Sequence, residues 1–376
     1  MDLTAGGARA VPVARSERTG LVPAGTVLAG SVISLVGLTW DIQWHGDVGP
    51  DTFFTMPHLF LYSGSAISGL ASLVVVLMTT AARRAGRPVD ARVGGRAINV
   101  FGRIFAAPAG YLVTGTGAAM FLLYGLWDQW WHGLYGFDAV IDSPPHIGLL
   151  LSITLSIIGT VMVFAAAREH RWGTVGVVGS LGVLIAFSTV TVLGLQQIDV
   201  DGLDVVSVGI ALLSVLLVSA GAGFWGRPGG AVRVAAALAV IQAITWWFSP
   251  WAAEAYASAV GLPMRDYIDG VPAMPSMMPM ALLPIAAVLE AVYLLSRRWP
   301  AGRVSVLAGV IGGLLAGASM PIQNAIVYGS DRMPWAVVFA TGAAGAVVGL
   351  LGGFAGWRFG GMLRLLAPAK GENAHA

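Results

Sequence analysis

Two stretches of this chain carry aspartate, histidine and tryptophan at the same spacing. The first is Trp40-Asp41-Ile42-Gln43-Trp44-His45-Gly46-Asp47-Val48-Gly49-Pro50-Asp51. The second is Trp127-Asp128-Gln129-Trp130-Trp131-His132-Gly133-Leu134-Tyr135-Gly136-Phe137-Asp138. Both fit W-D-x-x-W-H-G-x-x-G-x-D. Each then reaches a Pro-His pair, Pro57-His58 or Pro145-His146, so the second histidine follows the first after a nearly constant interval. Four of the six histidines of the chain fall in these two places.

Asp and His four residues apart lie on one face of a helix, one turn apart. The Gly-, Pro- and Asp-rich segment after each pair is a turn that can bring the second histidine back to the first. Asp41, His45 and His58 are therefore expected to converge, and so are Asp128, His132 and His146. One carboxylate and two imidazoles make a three-ligand set for a divalent metal, with positions left for water or substrate. Asp51 and Asp138 are expected to fix histidine tautomers from behind. Trp44 and Trp131 are expected to wall the sites. Trp, His and Asp also gather at helix ends as interfacial belts; duplication at fixed spacing favours the metal reading. The chain has no cysteine, which excludes disulfides, thiolate metal sites and iron–sulfur clusters.

The elements that must position these residues follow from composition. Of 376 residues, 56% are hydrophobic and only 11% charged, against about 25% charged in ordinary soluble domains. A soluble enzyme, a nucleic-acid binder and a disordered chain are excluded. The fold class expected is all-α: a polytopic transmembrane helical bundle of about ten spans. Apolar segments long enough to cross a bilayer lie at roughly 21–40, 57–80, 106–127, 145–166, 174–195, 204–225, 232–251, 277–296, 304–324 and 335–356. With both termini cytoplasmic, every Lys and Arg except Arg265 and Arg332 falls on the inner set of loops and span ends. That satisfies the positive-inside rule. It puts the chain in the cell inner (plasma) membrane with both Asp/His/His sets facing the extracytoplasmic side. The loop 81–105, with Arg83, Arg84, Arg87, Arg92, Arg96 and Arg103, is expected to lie on anionic headgroups.

The second half carries weaker signals. Met274, Met277, Met278 and Met280 start span eight, with Met264 upstream, where thioethers suit Cu(I) but also fill gaps. Trp246, Trp247 and Trp251 read as an aromatic belt. Glu290 stands inside a span two turns before Arg297, as an ion-pair partner or a proton-relay group. Gln242, Gln323 and Asn324 read as interhelical glue. His170 reads as a surface residue and His375 as part of a frayed tail. The loop 252–276, with Pro263, Pro272 and Pro275, is expected to fold over the outer face.

A carboxylate, a His four later and a second His further on, occurring twice, resembles the C subunit of the copper membrane monooxygenases (particulate methane and ammonia monooxygenases). The first set of that family is Asp-x3-His followed by His, with a Trp just before the first His. Asp41, Trp44, His45 and His58 match it. Asp51 matches an acidic position seven before the second His. In the family's second set an Asn stands where this chain has Asp128, ahead of His132 and His146. The resemblance covers about residues 25–165. It implies copper ligands more strongly than hydrocarbon or ammonia oxidation, because the family enzyme works as three subunits and one carries a soluble copper domain that this chain lacks. The organisation expected is a tail at 1–20, a four-span duplicated metal-site domain at 21–167, a six-span domain at 168–366 and a tail at 367–376. The function expected is that of a copper-binding membrane protein oxidising a small apolar substrate with dioxygen. The alternatives are a non-catalytic protein for copper uptake, storage or delivery, and an iron or zinc membrane enzyme. Partners compatible with this reading are the lipid bilayer, partner membrane subunits or a second copy of the chain, and a small apolar substrate.

Overall fold

The computed structural model describes residues 19–136, 141–268 and 270–368. It holds ten helical segments long and apolar enough to cross a membrane. In chain order the helices are α1 (Leu21–Asp47), α2 (Met56–Arg84), α3 (Ala109–Tyr135), α4 (Pro144–Ala166), α5 (Arg171–Thr191, tightening into a 3-10 turn at Val192–Leu195), α6 (Val205–Trp225), α7 (Gly230–Val260), the short α8 (Ala273–Met277), α9 (Leu282–Leu295), α10 (Ala301–Val327) and α11 (Trp335–Leu363). The eighth span is α8 and α9 together, Ala273–Leu295. Every apolar segment expected from the sequence becomes one of these spans.

The boundaries differ in instructive places. Helices α1 and α3 run on to Asp47 and Tyr135, so both Asp-x3-His steps are helical as expected while Val48 to Asp51 lie in the turn after α1. Helix α7 runs on to Val260, because the Ala-rich stretch after Trp251 keeps the helix going. Gly261, at φ +72°, ends it in the left-handed conformation that glycine adopts without strain. The described part of the connection after α7 folds over the end of α1. The Arg265 amide donates to the Asp47 carbonyl at 2.8 Å and the Ala273 amide to Gln43 Oε1 at 2.8 Å. The basic loop after α2 carries a small antiparallel hairpin, β1 (Ala97–Val100) with β2 (Phe105–Pro108). Arg83 and Arg84 donate to its backbone, through the carbonyls of Ala97 and Ile104.

Close helix packing positions the two histidine motifs. A Cβ at Gly37 in α1 would collide with the backbone of Pro57 and Leu61 in α2, and one at Gly64 with the backbone of Gly30 and Ser34. Small residues at these crossings let the backbones touch. The Ser34 hydroxyl donates to the Leu61 carbonyl at 3.1 Å. The α3–α4 pair is built alike: Gly117 faces the backbone of Ser152 and Ser156, and the Ser156 hydroxyl donates to the Thr114 carbonyl at 2.8 Å. Such interhelical bonds are worth roughly 0.6 kcal/mol each in a bilayer, so the close contact itself fixes the register. Helix α5 lies deepest, with Leu181, Ile185, Phe187 and Val190 at 0% exposure. Helices α10 and α11 pack on α6. Along the α10–α11 seam, Gly309, Gly313 and Gly317 face Thr341, Gly345, Gly349 and Gly353.

Candidate metal centre

The turn between α1 and α2 is short and ordered. Thr55 precedes a helix start with Pro57 in its first turn, where proline's fixed φ suits the helix and its missing N–H costs nothing. His58 thus points back at the last turns of α1. In the second hairpin Ser143 caps α4, accepting from the His146 amide, with Pro144 and Pro145 at the first positions.

Both sets converge. In the first, His58 Nε2 lies 3.1 Å from Asp41 Oδ1, and His45 Nε2 lies 3.9 Å from the same oxygen. In the second, Asp128 Oδ1 lies 3.4 Å from His132 Nε2 and 3.2 Å from His146 Nε2, and the two Nε2 atoms are 3.2 Å apart. Asp41, His45 and His58, and likewise Asp128, His132 and His146, each offer three ligand atoms lying within 4.8 Å of one another. Donor atoms about 2.0–2.2 Å from one metal stand about 3 to 3.5 Å from each other. Most of these separations already have that spacing.

The ring tautomers follow from the hydrogen bonds. A carbonyl only accepts, so His58 Nδ1 carries a proton that it gives to the Thr52 carbonyl at 3.0 Å. His132 Nδ1 likewise donates to the Gly136 carbonyl at 2.9 Å. Each ring thereby turns Nε2 toward the cluster, the arrangement that backbone carbonyls impose on metal-binding histidines. The carboxylates show a matching deficit. Asp41 Oδ1, Asp51 Oδ1 and Asp128 Oδ1 are buried without a hydrogen-bond partner. A buried carboxylate oxygen left unpaired is costly. A shared proton or a cation between the rings and the carboxylate removes that cost, and the donor set of nitrogen and oxygen atoms fits a divalent metal.

Three features differ from the sequence expectation. Asp51 does not sit behind the rings. Its Oδ2 lies 3.4 Å from His45 Nε2 and 3.5 Å from His58 Nε2, so it faces the same point as Asp41. Thr52, not Asp51, fixes the His58 tautomer. Burial pushes the Asp51 carboxyl up, but His45, His58 and Thr55 outweigh it and hold the group below the usual carboxylate range. Trp44 and Trp131 do not line the sites. Trp44 is 1% exposed, packs on Tyr256 and Ala257, and donates Nε1–H to the Pro50 carbonyl. Trp131 packs on Tyr135, with ring centroids 4.6 Å apart and the planes tilted by 44°. Asp138 and His375 lie outside the described residues.

The two clusters share a cavity of about 250 Å³. All six expected ligands and Asp51 reach it, and its remaining wall is almost wholly Leu and Ile, with Leu38, Leu61, Leu150 and Ile153 among them. Tyr62 was missed in the sequence. It stands one helical turn after His58, with ring centroids 5.9 Å apart, and lines the cavity beside both clusters. The four-residue step from His58 was the available signal; the second motif has Leu150 at the matching place.

The second-half candidates resolve differently. Met274 and Met278 are at 0% exposure and belong to the main apolar core. Gln242 donates to the carbonyls of Pro275 and Met278, and Gln323 to those of Ser276 and Met278, so both do tie helices together. Glu290 accepts the Ala231 amide at 2.7 Å, anchoring the first turn of α7. Among the described residues it makes no ion pair with Arg297. His170 stacks on Trp172.

The fold and site together define a class: a helical bundle with, among the described residues, ten helices long and apolar enough to cross a membrane and two Asp/His/His groups able to hold metal ions at one end. No protein family, curated protein or solved structure matches the chain.

Proposed function

We propose that the protein is a copper-binding membrane protein similar to the C subunit of the copper membrane monooxygenases, and that its two clusters act on one small apolar substrate with dioxygen. The observation that carries this reading is the single cavity of about 250 Å³ onto which both clusters open. Copper held there supplies redox chemistry with dioxygen at positions the protein leaves free. Asp41, His45 and His58 would hold one ion, and Asp128, His132 and His146 the other.

The residues themselves supply binding, orientation and dryness. The Leu and Ile walls exclude water and accept an apolar molecule of a few carbons. The Thr52 and Gly136 carbonyls keep the imidazoles turned toward the cavity. Tyr62 offers a hydroxyl-bearing ring among otherwise apolar walls. A copper-delivery role keeps only part of the support that a methionine cluster would lend, since Met274 and Met278 are enclosed in the core while Met280 is exposed. Iron or zinc is the rival that a specific observation favours: Asp51 brings a second carboxylate to the first cluster, and imidazoles combined with carboxylates are a donor set of non-haem iron(II) and of zinc.

The test is metal content of the detergent-purified protein, by mass spectrometry, beside a His45→Ala/His132→Ala double variant. Copper near one or two per chain that disappears in the variant supports the proposal, and oxygen-dependent turnover of small hydrocarbons is then measured. Iron or zinc lost in the same way keeps the sites and discards copper. No metal in either protein after copper loading would falsify the metal reading altogether.

A further inference from the structure

The end of the bundle opposite the clusters holds a second cavity, of about 310 Å³, where α6 and α9 end and α7 and α10 begin. Its lining joins cations, hydrogen-bonding groups and aromatic faces: Arg227, Arg297, Glu290, Tyr293, Trp299 and Trp357. Among the described residues neither Arg227 nor Arg297 forms an ion pair or lies over an aromatic ring. The Tyr293 hydroxyl is buried, with the Ser219 hydroxyl as its side-chain neighbour. The Tyr293 ring is stacked on Trp357, with centroids 5.1 Å apart, which fixes its direction. Glu290 is the one acid in the lining, and the first turn of α7 already engages it through the Ala231 amide. The cavity therefore offers two guanidinium groups without an ion-pair partner and a hydroxyl that can turn to donate. Guanidinium forks match phosphoryl oxygens in geometry and charge. Basic pockets between spans near a membrane surface take anionic headgroups.

We propose that this cavity binds a phosphoryl group, with Arg227 and Arg297 holding its anionic oxygens and Tyr293 donating a hydrogen bond. Leu294 and Val304 in the same lining favour a phosphate carried by a membrane lipid over a soluble one. The site is independent of the metal clusters.

Delipidated full-length protein is titrated with phosphatidylglycerol, phosphatidylcholine or soluble glycerol phosphate and read by native mass spectrometry. One tightly held phosphatidylglycerol per chain is expected, about tenfold weaker in Arg227→Ala/Arg297→Ala and several-fold weaker in Tyr293→Phe. An Arg168→Ala/Arg171→Ala variant, which removes the same charge at the turn into α5, is expected to bind as the parent does. Tyr293→Phe removes only a hydroxyl, so it reports even if the arginine variant fails to fold. Glycerol phosphate binding with the same Arg227/Arg297 dependence, and no lipid bound, assigns the phosphoryl group to a soluble compound. Equal loss in both double-arginine variants, with Tyr293→Phe unchanged, overturns the proposal and leaves only general surface charge.

Discussion

Asp51 gives the first cluster a second carboxylate, 3.4 Å from one imidazole and 3.5 Å from the other. A second anion at that distance strengthens binding of any divalent ion by direct attraction. Asp51→Asn is expected to weaken metal binding at the first cluster at least tenfold, the lower end of what disturbing a ligand's surroundings costs. Occupancy of the second cluster should stay unchanged, as measured by competitive chelator titration. Equal affinity in the parent and the variant would return Asp51 to a structural role. The cavity wall makes a complementary prediction. Leu150→Trp adds bulk beside the second cluster, where Leu150 is 5% exposed. Both metals are expected to remain bound, while oxygen-dependent turnover of a small hydrocarbon falls at least tenfold. Loss of metal together with activity would show that the substitution had merely disrupted the site.

Helix crossings decide whether the clusters can form at all. The last turns of α1 meet the first turns of α2 because Gly37 allows backbone contact with Pro57 and Leu61. Gly37→Leu is expected to force α2 outward and carry His58 away from Asp41. Metal content should fall by one ion per chain, the second cluster keeping its own, while Gly46→Ala, which meets open space, leaves content unchanged. The seam of α10 and α11 lies away from the metal clusters. Gly313→Leu there must push apart backbones already in contact, an overpacking cost of typically 1–3 kcal/mol. The expected result is a lower unfolding temperature in detergent with both metals still bound.

The charge distribution of the whole chain ties its orientation to the placement of the sites. The arginine-rich hairpin after α2 and the two metal clusters lie at opposite ends of the bundle. Because the chain has no cysteine, a single introduced one reports its side without background. Arg87→Cys is expected to react with a membrane-impermeant maleimide only from the cytoplasmic side, and Asp331→Cys only from the outside. The reverse pattern would place the clusters inside the cell. Metal bound at the clusters would also couple to the stability of the entire fold. Ions that bind only the folded state add RT ln(1 + [L]/Kd), about 2.7 kcal/mol at a hundredfold excess over Kd. Chelation should therefore lower the unfolding temperature of the parent, and should leave that of His45→Ala/His132→Ala unmoved.

Much of this molecule was legible in the residues alone. Span number follows from apolar length, because a bilayer core accepts little except helices of about 20 apolar residues. Each Asp/His pair was legible because a four-residue step on a helix fixes two side chains on one face whatever surrounds them. Other features arose only from packing between distant segments. That α1–α2 and α3–α4 dock so that both clusters meet one cavity depends on small-residue crossings whose partners no local pattern names. Asp51 faces Nε2 rather than Nδ1 because the turn after α1 folds inward and leaves Thr52 to hold the His58 ring. Trp44 is drawn away from the cluster because α7 runs past Trp251 to Val260 and offers Tyr256 and Ala257 as a better-buried surface. Glu290 takes its place from the first turn of α7, fifty-nine residues earlier in the chain. Periodicity determines what a single helix presents; only the tertiary structure decides which distant helix receives it, since that choice depends on contacts between surfaces far apart in sequence.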